Sequence, residues 1–171
     1  MKYIIKRIIF LFLILVISYG VFQITASYMA KKEIETHIQI LPNGQFTNLN
    51  NEDVCLHDYN GLPMVVIYFH PECEHCQYEA QALRLNKEAF VNTQIIMITN
   101  DDSLSRLNQF VKQYQLWDLE AIDILMDKND AFYKFFGTSI FPSVFIYDRN
   151  RQLQNKYLGE TKPEAILSSL H

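Results

Sequence analysis

The chain has 171 residues, 49% apolar and 20% charged, a globular composition that excludes a disordered chain. With the N-terminal segment set aside, about 140 residues remain, enough for one domain with one core. All 19 acidic residues lie after position 30, together with only 12 of the 15 basic ones; a body of formal charge −7 without a cluster of Lys and Arg excludes nucleic acid as a partner.

Lys2, Lys6 and Arg7 precede an apolar run from Ile8 to Ile17, and no charge occurs from Ile8 to Ala30, which is 23 residues. A membrane-spanning helix needs roughly 20 apolar residues, so residues 1–30 read as a single-pass anchor in the cell membrane. The basic flank predicts a cytoplasmic N-terminus and an extracytoplasmic, periplasmic body. The alternative is a cleaved signal peptide. Ile24-Thr25-Ala26 is a poor cleavage site and no cysteine follows directly to carry a lipid, which favours the uncleaved anchor. Either reading exports the body to where disulfides persist.

Residues 31–45 read as a linker and entry loop. Lys31 to Glu35 extend the helix out of the membrane, and Pro42-Asn43-Gly44 signals a turn. The domain proper is 46–171. Asp53 to Leu56 is a short strand ended by Asn60-Gly61. Met64 to His70 is an apolar, β-branched and aromatic run, as a buried strand requires. Glu74 to Phe90 reads as a helix with Ala80, Leu83, Leu85 and Phe90 inward. Gln94 to Thr99 is a second core strand. Asp101-Asp102-Ser103 caps a helix to about Tyr114, with Leu104, Leu107, Phe110 and Val111 on one face. Ile122 to Met126 is a strand, and Asn129 to Phe136 a helix stopped by Gly137. Ser143 to Tyr147 is a strand preceded by Pro142, and a turn leads into Leu153 to Leu158. Thr161 caps a last helix with Pro163 near its start. The alternation predicts an α/β fold, a mostly parallel sheet with helices on both faces and a closing antiparallel hairpin.

The chemistry concentrates in Cys73-Glu74-His75-Cys76, two thiols two residues apart at a strand-to-helix junction. Such a pair can open and close a disulfide. The thiolate is the nucleophile. The helix start and a protonated His75 favour it at Cys73, while Glu72 and Glu74 oppose it. Cys73 is expected to attack, and Cys76, one turn further in and more buried, to resolve. A structural disulfide closes too small a loop here to stabilise much. The competing reading is a copper or zinc handling module, since His70, Cys73, His75 and Cys76 are four N/S donors within seven residues. Cys55 has no local partner and reads as a small buried hydrophobe. His37 and His57 read as surface residues, and Trp117 as core.

The strand ending at Phe69, the Cys-x-x-Cys that opens a helix, and Phe141-Pro142-Ser143 at the head of a later strand resemble the thioredoxin superfamily. Within it, residues 40–171 are similar to the membrane-anchored TlpA/ResA-like thiol–disulfide oxidoreductases. Asn60-Gly61-Leu62-Pro63 is similar to the family's approach to the first core strand. Cys73-x-x-Cys76-x-x-Glu79-x-x-x-Leu83 matches its helix, with Gln81 in place of a proline, and Phe136-Gly137-x-x-x-x-Pro142-Ser143 matches the stretch before its cis-proline strand. The resemblance implies a three-layer α/β/α fold with a mixed central sheet. It implies a cis Phe141-Pro142 bond against the Cys pair, with Phe141 and Pro142 receiving a partner's extended chain. It also implies exchange with protein thiols or disulfides outside the cytoplasm, without a cofactor or metal. Two departures bear on Cys73: Glu72 replaces the usual tryptophan, and Glu74-His75 differs from the reductants' inner dipeptides. A His before the second Cys is instead similar to the Cys-Pro-His-Cys of DsbA-type oxidants. Peroxiredoxins share the fold, but the hydroxyl residue three before their cysteine is absent: His70 stands three before Cys73, and Cys73 three before Cys76.

Overall fold

The computed structural model describes residues 2–170 and divides into two compact units between Thr36 and His37. The first is one helix, α1 (Lys2–His37). It is long and apolar enough to cross a membrane. In hydrocarbon every polar group must find a partner within the structure. Two polar side chains in the apolar stretch of α1 do so on their own helix: Gln23 Nε2 donates to the Tyr19 hydroxyl, and Thr25 Oγ1 to the Val21 carbonyl. Residues 31–37 continue this helix, whereas Ile38 and Leu41 are buried in the second unit.

The second unit is a seven-stranded sheet with helices on both faces. In chain order its elements are β1 (Gln45–Asn48), β2 (Asp53–Cys55), β3 (Met64–Tyr68), α2 (Glu74–Leu85), β4 (Gln94–Thr99), α3 (Leu104–Gln113), β5 (Ile122–Met126), α4 (Ala131–Phe136), β6 (Ser143–Tyr147), β7 (Leu153–Leu158) and α5 (Pro163–Ser168). The sheet order is β2-β1-β5-β4-β3-β6-β7. Only β3–β4 and β4–β5 pair in parallel. The other four pairings are antiparallel. The sheet is therefore mixed and not mostly parallel, and the reason is length. A helix rises about 1.5 Å per residue and a strand about 3.3 Å, so the six residues of α4 span only about half the length of β5. The chain stays at the end where β5 finishes, so β6 starts there and runs against β3 with Tyr68 opposite Ser143. This puts residue 142 beside the exit of β3.

Alternation along the strands divides the core between the two faces. Val65, Ile67 and Phe69 face one way and pack with Ala80 and Leu83 of α2, Leu107, Phe110 and Val111 of α3, and Ile166 of α5. On the other face Tyr68 stacks on Phe132 of α4 at 4.0 Å, and Phe132 and Phe136 meet Phe145. The buried Tyr147 hydroxyl there donates to the Ile38 carbonyl.

Several local expectations are corrected. The helix expected to reach Phe90 ends at Leu85, because the Asn86 side chain and backbone N–H turn back to the Ala82 carbonyl; a 3₁₀ turn completes the span. Leu85 and Leu104 are exposed. Trp117 is also exposed, at 59%, because Leu116 and Leu119 take the inward positions of its short turn. Thr161 does not cap α5: Lys162 holds that position ahead of Pro163, and the Thr161 hydroxyl donates to the Gly159 carbonyl. Cys55 is half-buried and donates to Asn43 Oδ1. The strand β1 was not foreseen; four residues after Gly44 are too few to show a period.

Candidate active site

The site forms where β3 leaves the sheet. The chain turns through His70-Pro71-Glu72, closed by a Cys73 N–H to His70 carbonyl bond of 3.0 Å. It then enters α2 with Cys73 in the N-cap position, in extended conformation. Glu74 in the first turn suits the positive end of the helix. Cys76, Glu79, Ala80 and Leu83 form the buried stripe of α2, at helical spacing. This splits the two thiols. Cys73 is half-buried and Cys76 is 1% exposed; both are free. The Cys73 sulfur makes no cap bond and lies 3.9 Å from the Phe141 carbonyl oxygen. Burial pushes the Cys76 thiol well up, and its hydrogen bond with Cys73 adds to this, while the His70 backbone acts the other way.

The loop before β6 supplies the opposite wall. Phe141-Pro142 is a cis peptide bond, as the resemblance implied. The Phe141 ring lies against Tyr68 at 4.6 Å and against His70 at 5.7 Å. Pro142 accepts from the Gly159 N–H at 2.8 Å. Ser143 Oγ donates to the Ile140 carbonyl at 2.7 Å, which holds the turn. Cys73, Cys76, Phe141 and Pro142 thus come together at one end of the sheet.

The charged residues singled out as tuning groups do not act alone. Glu72 is tied to Arg106 of α3 at 2.6 Å, and Arg106 also meets the buried Asp101 at 2.6 Å. His75 pairs with Glu160, in the loop between β7 and α5, at 2.7 Å. Glu74 is exposed. Arg106 and Glu160 carry no sequence signal, because their partners lie 34 and 85 residues away.

Glu79 is the residue whose part the sequence reading did not take up. It is 2% exposed and neither carboxylate oxygen has a hydrogen bond. Burial pushes its carboxyl up to about 8. The Thr161 backbone N–H lies near enough to oppose this without completing a hydrogen bond, and the Glu160 charge raises it further. A signal was present: an acid three residues after Cys76, on the apolar stripe of an amphipathic helix.

The metal-handling expectation lacks a donor set. Among the described residues no group of three His, Cys, Asp or Glu side chains is gathered closely enough to hold an ion. The His75 ring is engaged by Glu160, and His70 Nδ1 accepts the Glu72 N–H at 3.2 Å.

Comparison with known proteins agrees with this geometry. The family model AhpC/TSA matches residues 39–156. The chain is similar to the thiol-disulfide oxidoreductase ResA of Bacillus cereus, 24% identical over 165 residues that cover 94% of this chain and 93% of that one. The ResA of Bacillus anthracis is 23% identical over the same extent. Among solved structures, a secreted Mycobacterium tuberculosis disulfide oxidoreductase homologous to Escherichia coli DsbE superposes with a TM-score of 0.63 at 18% identity, covering 79% of this chain and 98% of that one. StoA from Bacillus subtilis superposes at 0.58 with 13% identity, covering 73% and 93%.

Proposed function

The chain belongs to the AhpC/TSA family and is ResA-like within the thioredoxin superfamily, and on that premise we propose that it is an exported, membrane-tethered thiol–disulfide oxidoreductase acting on protein partners through Cys73 and Cys76. The observation that carries this reading is the split of the two thiols. One is half-exposed beside the Phe141 carbonyl, and the other is buried one turn behind it.

The reaction follows from that split. The Cys73 thiolate attacks a partner disulfide, forms a mixed disulfide, and expels one partner sulfur as thiolate. The partner's extended backbone lies along Phe141 and Pro142, where the 3.9 Å approach leaves its sulfur close to Cys73. Cys76 must then lose its proton, which its burial resists. Glu79, on the same stripe of α2, is the acceptor in reach; with its carboxyl near 8, an ionised minority is present at neutral pH. The Cys76 thiolate attacks the Cys73 sulfur, closes the Cys73–Cys76 disulfide and releases the second partner thiolate. Two electrons pass from the dithiol to the partner, and the reverse sequence oxidises a partner dithiol. No step needs a cofactor. Peroxide reduction has no counterpart in the site, since His70 and not a hydroxyl residue precedes Cys73 by three.

Export and tethering rest on the uncharged run from Ile8 to Ala30 with its basic flank, and on α1 as a helix long enough to span. In this reading residues 1–30 are the anchor, 31–45 the connection and 46–171 the catalytic domain. The test of the chemistry is trapping. In membranes from cells expressing Cys76→Ser, mixed disulfides with partners accumulate and collapse on reduction; Cys73→Ser traps none. Equal trapping by both variants overturns the assigned roles.

A further inference from the structure

Glu79 is buried without a hydrogen bond, and something must keep water from it. The backbone of Thr161 lies against its carboxyl. Thr161 belongs to the loop of residues 159–162, whose near end is held by the Gly159 N–H to Pro142 carbonyl bond of 2.8 Å. Its far end is held by the buried Thr161 and Pro163, and Glu160 between them and Gly159 reaches out 2.7 Å to the ring of His75, the residue just before Cys76. Both partners of that pair are exposed, at 68% and 46% of their side chains. The segment over the buried acid is thus fastened to the Cys motif itself.

We infer that Glu160 is a positioning residue for the resolving step: by pairing with His75 it latches the 159–162 loop over Glu79 and so keeps water from that carboxyl until a partner displaces the pair. This deepens, and rests on, the thiol-exchange reading of the same site. With the latch closed, Glu79 is dry, holds its proton and leaves Cys76 as an inert thiol. With the latch open, water reaches Glu79, the carboxyl ionises, and it can take the Cys76 proton. A partner docking at Cys73 arrives next to His75, so engagement and activation of the resolving thiol coincide. The titratable groups that face Glu79 are Cys76 on its own helix and Glu160 on the loop. The titratable group facing Glu160 is His75; Lys162 and Glu164, which follow on the loop and on α5, are exposed, and Glu72 is paired with Arg106.

The latch and a simple electrostatic field predict different signs. Removing the Glu160 charge lowers the Glu79 titration in both cases. Removing His75 opens the latch and also lowers it, whereas a field without a latch does not lower it, because Glu160 keeps its charge. The test uses the full chain in detergent, in a Cys55→Ser background. A chromogenic thionitrobenzoate is placed on Cys73, and its release by Cys76 is timed from pH 5.5 to 9.5. The parent shows a rate midpoint near that of Glu79, and Glu79→Gln loses it. Glu160→Gln and His75→Ala each move the midpoint down, with release at pH 6.5 rising about eightfold, as expected for a midpoint lowered from about 8 by about one pH unit; the double variant adds nothing. An unmoved midpoint in Glu160→Gln, or a midpoint that fails to fall in His75→Ala, overturns the latch. If Cys76→Ser releases the chromophore as fast as the parent, it is the exchange reading itself that fails.

Discussion

A carboxyl raised by burial is both a catalytic device and a stability liability, and Glu79 is the place to measure the second. Its carboxyl stands at about 8 in the fold against an ordinary value of about 4.5. Between those two pH values the folded chain keeps a proton that the unfolded chain has lost. The stabilising protonated form is fully present below about pH 4.5, and stability falls as the pH rises through about 8. The shift corresponds to roughly 3–5 kcal/mol. Glu79→Gln mimics the protonated acid and removes this loss. Urea unfolding of the variant should match the parent at pH 5 and exceed it by a few kcal/mol at pH 8; equal midpoints at both pH values would mean that Glu79 is hydrated. The two cysteines were legible because thiol chemistry needs them close in sequence. The ion pairs of Glu72 and His75 were not, since Arg106 and Glu160 reach them only through the fold.

Among the elements, α4 shows how little local sequence decides. Six residues cannot sustain a helix in water. What holds α4 is a cap and a stack. The buried Asp127 accepts from the N–H groups of Ala131 at 2.7 Å and Phe132 at 2.9 Å, and Phe132 stacks on Tyr68. Asp127→Ala should therefore cost about 2 kcal/mol in urea unfolding, with Asp127→Asn losing less; an unchanged midpoint for the alanine variant would show that the aromatic stack suffices alone. The strands β4, β5 and β6 were legible to the residue because they are mainly apolar runs buried on both faces. The short β1 and the outward Trp117 were not, because their places depend on pairing with β5 and on which neighbour the core admits.

For the molecule as a whole, the anchor reading predicts a protein that stays with membranes through alkaline carbonate washing and enters solution only with detergent. Its mass should retain residues 1–30, and protease added from outside should release a fragment containing Cys73 and Cys76. A soluble product starting after Ala30 would mean a cleaved signal. The sequence by itself determined what local order carries: an uncharged span, the strand and helix succession, the thiol pair and the cis-proline neighbour implied by resemblance. Tertiary structure alone decided the direction of β6, because α4 is too short to recross the sheet. It alone decided that Glu72 and His75 are paired with distant partners, and that Glu79 is a buried acid beneath the 159–162 loop. The reason is physical: periodicity and spacing report neighbours along the chain, whereas burial and Coulomb pairing act between atoms that only folding brings together.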